Sequence, residues 1–360
     1  MKILNKLSVV LMVTWTIFSS CIKNDQVELA NTAVINPGGE TLMQKVLPFP
    51  IGAAVNVNLL KDNAKYRALV IKEFNSVTAE NAMKFNALHP SENSYNWADA
   101  DYLIDFAVQN GKRVHGHTLI WYKSLPAWVT NYNGTAAQWE NLFKTHIQTV
   151  VGHFKGKVVS WDVLNELFEE DGTYRNSIWL EKLGPDFIAR AFVYAREADP
   201  NVLLFYNDYG NEFGPTKRTA IINLVNSLKS RGIPIDGIGM QMHTRATQTD
   251  ANLLAAINTA AATGLKVHIS ELDIAINSDN NPALTFTPAL ATLQAGKYKM
   301  IVKAYRSIPK VQQFGITTWN VTDGDSWIPT HYNRPDWPLL FDTNYERKLA
   351  YQGVLDGMND

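Results

Sequence analysis

An α/β protein built on a (β/α)8 or TIM barrel is the fold that the sequence predicts, on three observations. Eight short apolar or alternating runs recur from residue 50 onward. Helical patterns separate them, which is the signature of parallel βαβ units. No glycine-rich phosphate loop follows the first run or any later one, which counts against a doubly wound open sheet. At 360 residues the chain can hold such a barrel as a single domain.

The runs, in order, are PIGAAVN (50–56), SVTAEN (76–81), RVHGHTLIW (113–121), VVSWDVLNE (158–166), LLFYNDY (203–209), GIGMQMH (237–243), KVHISELDI (266–274) and FGITTWNV (314–321). Each is short and apolar or alternating, and each carries polar side chains at or near its C-terminal end. Between the second and third, residues 99–112 place Tyr102, Leu103, Phe106 and Ala107 on one helical face and Gly111 at the stop. Residues 186–200 repeat the pattern and end at Pro200. Catalytic groups of a barrel sit at the C-terminal ends of its strands, so the polar tips of the runs belong to one face.

Ahead of the barrel, Lys2 and Lys6 form a small positive n-region before the apolar stretch LSVVLMVTWTIF (7–18), which has the length of a secretory h-region and is short for a membrane span. Phe-Ser-Ser then precedes Cys21, the chain's single cysteine, in a pattern that resembles a bacterial lipobox. The expectation is a signal peptide over 1–20, lipidation of Cys21, a polar tether over 21–40 and one folded domain over 41–360. The protein is then exported and lipid-anchored at the bacterial cell envelope, periplasmic or at the surface. The plainer reading is a secretory signal that happens to end near a cysteine. With no second cysteine there is no disulfide framework. A net charge of −1 gives no basic field, so no nucleic-acid partner is expected, and contact with a membrane runs through the anchor only.

Glu166 ends the fourth run. In the seventh, the two-residue period sends Glu271 and Asp273 to one side and His268 and Ser270 to the other. Two opposed carboxyl groups across a cleft are the minimum machinery of glycoside hydrolysis: one donates a proton and the other stays ionised. Spacing alone leaves solvated charge at loop edges as an equal reading. A metal-dependent barrel hydrolase would use His115, His117, His243, His268 and Asp323, but its His-x-His pair lies on the third run, and His268 reads as a core histidine packed under the helices.

The wider motif set decides further. WDVLNE (161–166) and ISELDI (269–274), with SVTAENAMKFNALHP (76–90), GHTLIW (116–121), YNDY (206–209), MQMH (240–243), TTWNVTDGDSW (317–327) and PLLFD (338–342), resemble glycoside hydrolase family 10 β-xylanases through residues 41–360. The resemblance implies a retaining endo-1,4-β-xylanase acting on xylan and xylo-oligosaccharides; a monomer without cofactor or metal is expected. It implies Glu166 as acid/base and Glu271 as nucleophile, with carboxyl groups about 5–5.5 Å apart. His243 and Asp273 hold Glu271 ionised. Asn165 bonds the sugar 2-hydroxyl, and His117, Asn207 and Gln241 complete that polar shell. Glu80, Asn81 and Lys84 grip the next sugar toward the non-reducing end. Trp319, Trp327 and nearby Trp121 wall this side, and Tyr209 lies toward the leaving group.

Five positions depart from the family pattern. Asn320 stands for a glycine, Thr318 for an aromatic, Tyr122 for a histidine, His115 for an arginine and Leu349 for a proline. Two other readings bear on activity: a retaining β-glucanase on the same scaffold, and a non-catalytic glycan-binding lipoprotein, which leaves both glutamates without a task.

Overall fold

The computed structural model describes residues 43–358. The expected signal peptide, Cys21 and the tether lie outside the described residues. Nine strands follow in order: β1 (Ile51–Val55), β2 (Ser76–Ala79), β3 (Arg113–Gly116), β4 (Ser160–Asn165), β5 (Leu203–Asp208), β6 (Gly237–Met240), β7 (His243–Arg245), β8 (Lys266–Ala275) and β9 (Gln313–Trp319). All but β7 form a parallel ring in the order β6-β5-β4-β3-β2-β1-β9-β8, which the pairing of β6 with β8 closes. The three-residue β7 pairs with the outer end of β8.

Each predicted run overlaps one barrel strand. The third overshoots: β3 stops at Gly116, and the chain rejoins β4 through Leu119 and Ile120, whose N–H groups donate to the Asp162 and Val163 carbonyls (3.0 and 3.2 Å). Gly116 is required there, because a Cβ would lie 2.2 Å from the Trp161 indole. The two predicted helices are Ala98–Gln109 and Phe187–Ala198. The first ends where Gly111 takes φ 61°, a conformation glycine adopts freely. Ahead of β4, helix Ala136–His153 starts on a reciprocal cap between Thr135 and Gln138.

The barrel interior corrects one expectation. His268 is not packed under the helices. Its ring lies 4.8 Å from that of His115, on a strand not adjacent to β8, so the contact crosses the lumen. His268 bonds Thr317 (2.8 Å), and His115 lies between Ser160 Oγ (2.7 Å) and Asp162 Oδ2 (3.0 Å). A polar layer therefore fills the barrel directly beneath the cleft.

Candidate active site

Both carboxylate-bearing strands break their alternation just before the tip. The pairing of β4 with β5 shifts between Asp162 and Leu164, and that of β8 with β9 between Ile269 and Leu272. Such bulges re-aim side chains near active sites. On β4, Ser160 and Asp162 face the lumen, and the shift then turns Asn165 inward. On β8 it lets Ser270 and Glu271 share one side, since both contact Asn207 (2.6 and 2.7 Å). Simple alternation had placed Ser270 opposite Glu271; the bulge is why it does not. Glu166 follows β4 in the left-handed region at φ 58°, a strained conformation for glutamate that clusters at functional sites. Its N–H is pinned to the Asn207 carbonyl (2.9 Å).

Glu271 is held from both ends. Asn207 Nδ2 donates to Oε1 (2.7 Å), and His243 Nε2–H donates to Oε2 (3.1 Å). The other ring nitrogen of His243 donates to Asp273 Oδ2 (2.8 Å), which also accepts the Trp327 indole N–H (2.8 Å). Burial alone would lift the Glu271 carboxyl. The His243 hydrogen bond and the charges of His117 and His243 outweigh it and hold the group below its ordinary range. Burial opposes a charge on His243 too, yet Asp273 and Glu271 together raise it well above the usual imidazole value. Burial pushes Asp273 upward in spite of His243. We assign the shared proton to the imidazole, because one ring faces two carboxylates.

A pH dependence follows. Glu271 with a depressed value is ionised over more of the acidic range, and His243 supplies part of that depression. In His243→Asn the acid limb of the kcat/KM profile is expected to move to higher pH; an unmoved limb would remove His243 from this role. The stability sign runs the other way for the imidazole. Its raised value contributes stability that is complete below the unfolded histidine value of about 6.5 and is lost as pH rises through the higher folded value.

Glu166 has a separate clamp. Its Oε1 accepts from Gln241 (3.0 Å) and Asn165 (3.3 Å), while Asn165 Oδ1 accepts from Gln241 (3.2 Å) and Asn207 (3.0 Å). Asn165 and Asn207 thus link the two carboxyl groups through one amide chain. Asn207 was expected in the sugar-facing shell; it is fully buried and lies outside the cleft lining, so it holds Glu271 rather than facing ligand. His117 does face the cleft, oriented by Asp162 Oδ2 (2.9 Å).

These groups open into a cleft of about 760 Å³. Glu80, Asn81, Lys84, Trp121, Tyr209, Trp319 and Trp327 all line it. Lys84 bonds Asn81 (2.9 Å) and sits 5.3 and 5.8 Å from the Trp121 and Trp319 rings. Two departures from the family pattern support this wall. Asn320 adopts φ 75°, where glycine is otherwise favoured, and asparagine tolerates it. Its Oδ1 accepts the Trp327 backbone N–H (3.1 Å), and Thr318 Oγ1 donates to its carbonyl (2.9 Å).

Sequence reasoning missed several supporting residues. Asn56 caps helix Val57–Asp62 and also donates to Glu80 Oε2 (3.1 Å); a polar tip on the first run was its signal. Asn56→Ala is expected to cost about 1 kcal/mol in chemical denaturation and to raise KM by freeing Glu80. A lowered stability with KM unmoved would confine it to capping. Arg175 donates to the Glu166 carbonyl (3.1 Å) and to Tyr209 Oη (2.7 Å). Asp162 and Ser270 act beneath. No spacing in the sequence marked any of these.

A sealed polar barrel floor, two carboxyl groups on separate clamps and an indole-walled cleft define a glycoside hydrolase. Residues 40–357 match the sequence profile of glycosyl hydrolase family 10, and the chain belongs to that family. Endo-1,4-β-xylanase B of Paenibacillus barcinonensis is 40% identical over 319 residues, spanning 85% of this chain and 95% of that protein. Endo-1,4-β-xylanase A of Cellvibrio japonicus is 40% identical over 343 residues, 86% of this chain; the chain spans about half of that longer relative, 55%. The crystal structure of xylanase 10B from Thermotoga petrophila RKU-1 in complex with xylobiose superposes with a TM-score of 0.82 at 36% identity, covering 88% of this chain and 96% of the other. Among the described residues no group of three or more His, Cys, Asp or Glu side chains is placed to hold a metal ion.

Proposed function

We propose that the chain is an endo-1,4-β-xylanase that hydrolyses xylan by retaining double displacement. The observation that carries this is the pair of clamps in a family 10 cleft: Glu271 held ionised by His243 and Asn207, and Glu166 fixed separately by Gln241 and Asn165. Glu271 attacks the anomeric carbon while Glu166 protonates the departing oxygen. Glycosylation removes the charge on Glu271, and Glu166 then takes a proton from the water that releases the sugar. Asn165 and His117 meet the hydroxyls of the sugar being cleaved. Glu80, Asn81 and Lys84 take the next one, with Trp319, Trp327 and Trp121 against apolar sugar faces. Tyr209, tied to Glu166 through Arg175, faces the leaving group.

The test is product analysis on xylan and on mixed-linkage β-glucan, with chelator present. Short xylo-oligosaccharides from xylan, with little from glucan, are expected. Release from glucan alone would keep the two-glutamate chemistry and overturn the substrate, and activity abolished by chelator would overturn the mechanism.

We also propose that residues 1–20 are a signal peptide and that lipid on Cys21 anchors the monomeric enzyme at the cell envelope through the 21–40 tether. The lone cysteine behind the apolar segment supports this reading. More than one acyl chain gives stable attachment. Cys21→Ser should move the protein from the detergent phase to the aqueous phase; an unchanged partition would sink the anchor.

A further inference from the structure

At the rim of the cleft a guanidinium stands without a carboxylate partner among the described residues. β7 carries His243 toward Glu271, and its two-residue period returns Arg245 to the same side, about 6.5 Å farther along the strand. The intervening Thr244 is buried and Arg245 is exposed, as that alternation requires. Arg245 pairs in register with Ala275 of β8, and both residues line the cleft. Its guanidinium carbon sits 5.2 Å from the centroid of Phe213, a ring 36% exposed that lines the same cleft.

Other guanidiniums of this cleft region are neutralised. Arg175 meets Glu169 (2.9 Å) and Arg334 meets Asp336 (3.2 Å). Among the described residues no carboxylate lies within salt-bridge distance of Arg245. An aromatic ring can stack a neutral sugar unaided. A free guanidinium above such a ring adds a planar, permanently charged fork, which matches a carboxylate. Phe213 follows β5, as does Tyr209, which Arg175 joins to the Glu166 carbonyl. The pair therefore belongs to the leaving-group half of the cleft.

We propose that Arg245, over Phe213, binds the carboxylate of a uronic-acid branch on the leaving-group side, so that the enzyme favours acid-decorated xylan over neutral xylan. The inference rests on the xylanase reading above and adds to it a preference for one class of decoration. The acidic branch should accordingly be found on the fragment released as leaving group.

The experiment compares glucuronoxylan with the same polymer after chemical reduction of its carboxyl groups, a neutral reference of identical backbone and branching. The ratio of kcat/KM on the two is expected to be about fivefold in favour of the acidic polymer, the upper range for a partly exposed ion pair. It should shrink in high salt, approach one in Arg245→Ala, invert in Arg245→Glu and survive in part in Arg245→Lys. Equal rates on the two polymers with the unaltered protein, or a preference that persists in Arg245→Glu, overturn the inference and leave the xylanase reading standing. Folded protein that cleaves neither polymer overturns both.

Discussion

Glu271→Gln is expected to reduce kcat/KM on xylan by about four orders of magnitude or more, the scale seen when a covalent nucleophile is removed. The amide fills the same volume and can still meet Asn207 and His243, so the fold should survive and circular dichroism should be unchanged. What is lost is the charge that attacks the anomeric carbon. Burial makes that charge costly, and the His243 hydrogen bond with the His117 and His243 charges sustains it. The unaltered enzyme, incubated with an activated 2-deoxy-2-fluoro xyloside whose turnover stalls at the covalent stage, should carry the sugar on the peptide containing Glu271. Label on any other residue would reassign the nucleophile, and near-normal turnover by Glu271→Gln would remove covalent catalysis by this group.

Glu166→Ala should be nearly as damaging on polymer but not on every substrate. General acid–base assistance contributes about 10²–10⁴-fold, and a sugar leaving group needs the whole of it. An aryl xyloside with a strongly acidic phenol leaves without a proton, so its first step should slow by less than about tenfold. The second step still lacks its base, and a burst of phenol followed by slow turnover is expected. Azide, a nucleophile that needs no deprotonation, should restore turnover and yield the β-xylosyl azide. Equal loss of the first step on both substrates, with no burst and no rescue, would contradict the assigned role. Together the two variants separate the carboxyl groups that the cleft presents side by side.

The eight runs and two of the helices between them were legible from local pattern, although the third run was carried past the end of β3. A barrel strand buried on both faces must be apolar, and it tends to finish in polar residues where the active face begins. Glu166 was legible for the same reason, since it ends the fourth run; Glu271 lies inside the seventh run, and its motif rather than its position marked it. Their neighbours were less so. His268 was read as facing the helices because alternation was extended through a strand that carries a bulge. Asn207 was expected to meet sugar, yet its place one layer below the cleft depends on how far β5 rises beside β4, which no local period encodes.

Asn56, Asp162 and Arg175 show the same limit. Each touches a functional residue across 24, 45 or 9 positions of sequence through a polar side-chain contact. Hydrogen bonds of that kind leave no periodicity to read. Arg245 ends β7, a strand of only three residues that composition could not announce.

The sequence by itself determined the barrel and the face that holds the chemistry, through hydrophobic period and chain order, and it marked the two glutamates through the motifs that resemble family 10. The tertiary structure alone decided which side chains bond which. It set the phase of β4 and β8 beyond their bulges, placed His243 between two carboxylates, and left Arg245 at the rim with no carboxylate partner among the described residues. The physical reason is range: burial patterns are written residue by residue along the chain, whereas the charge state of a buried group is set by neighbours that only the closed barrel brings within about 3 Å.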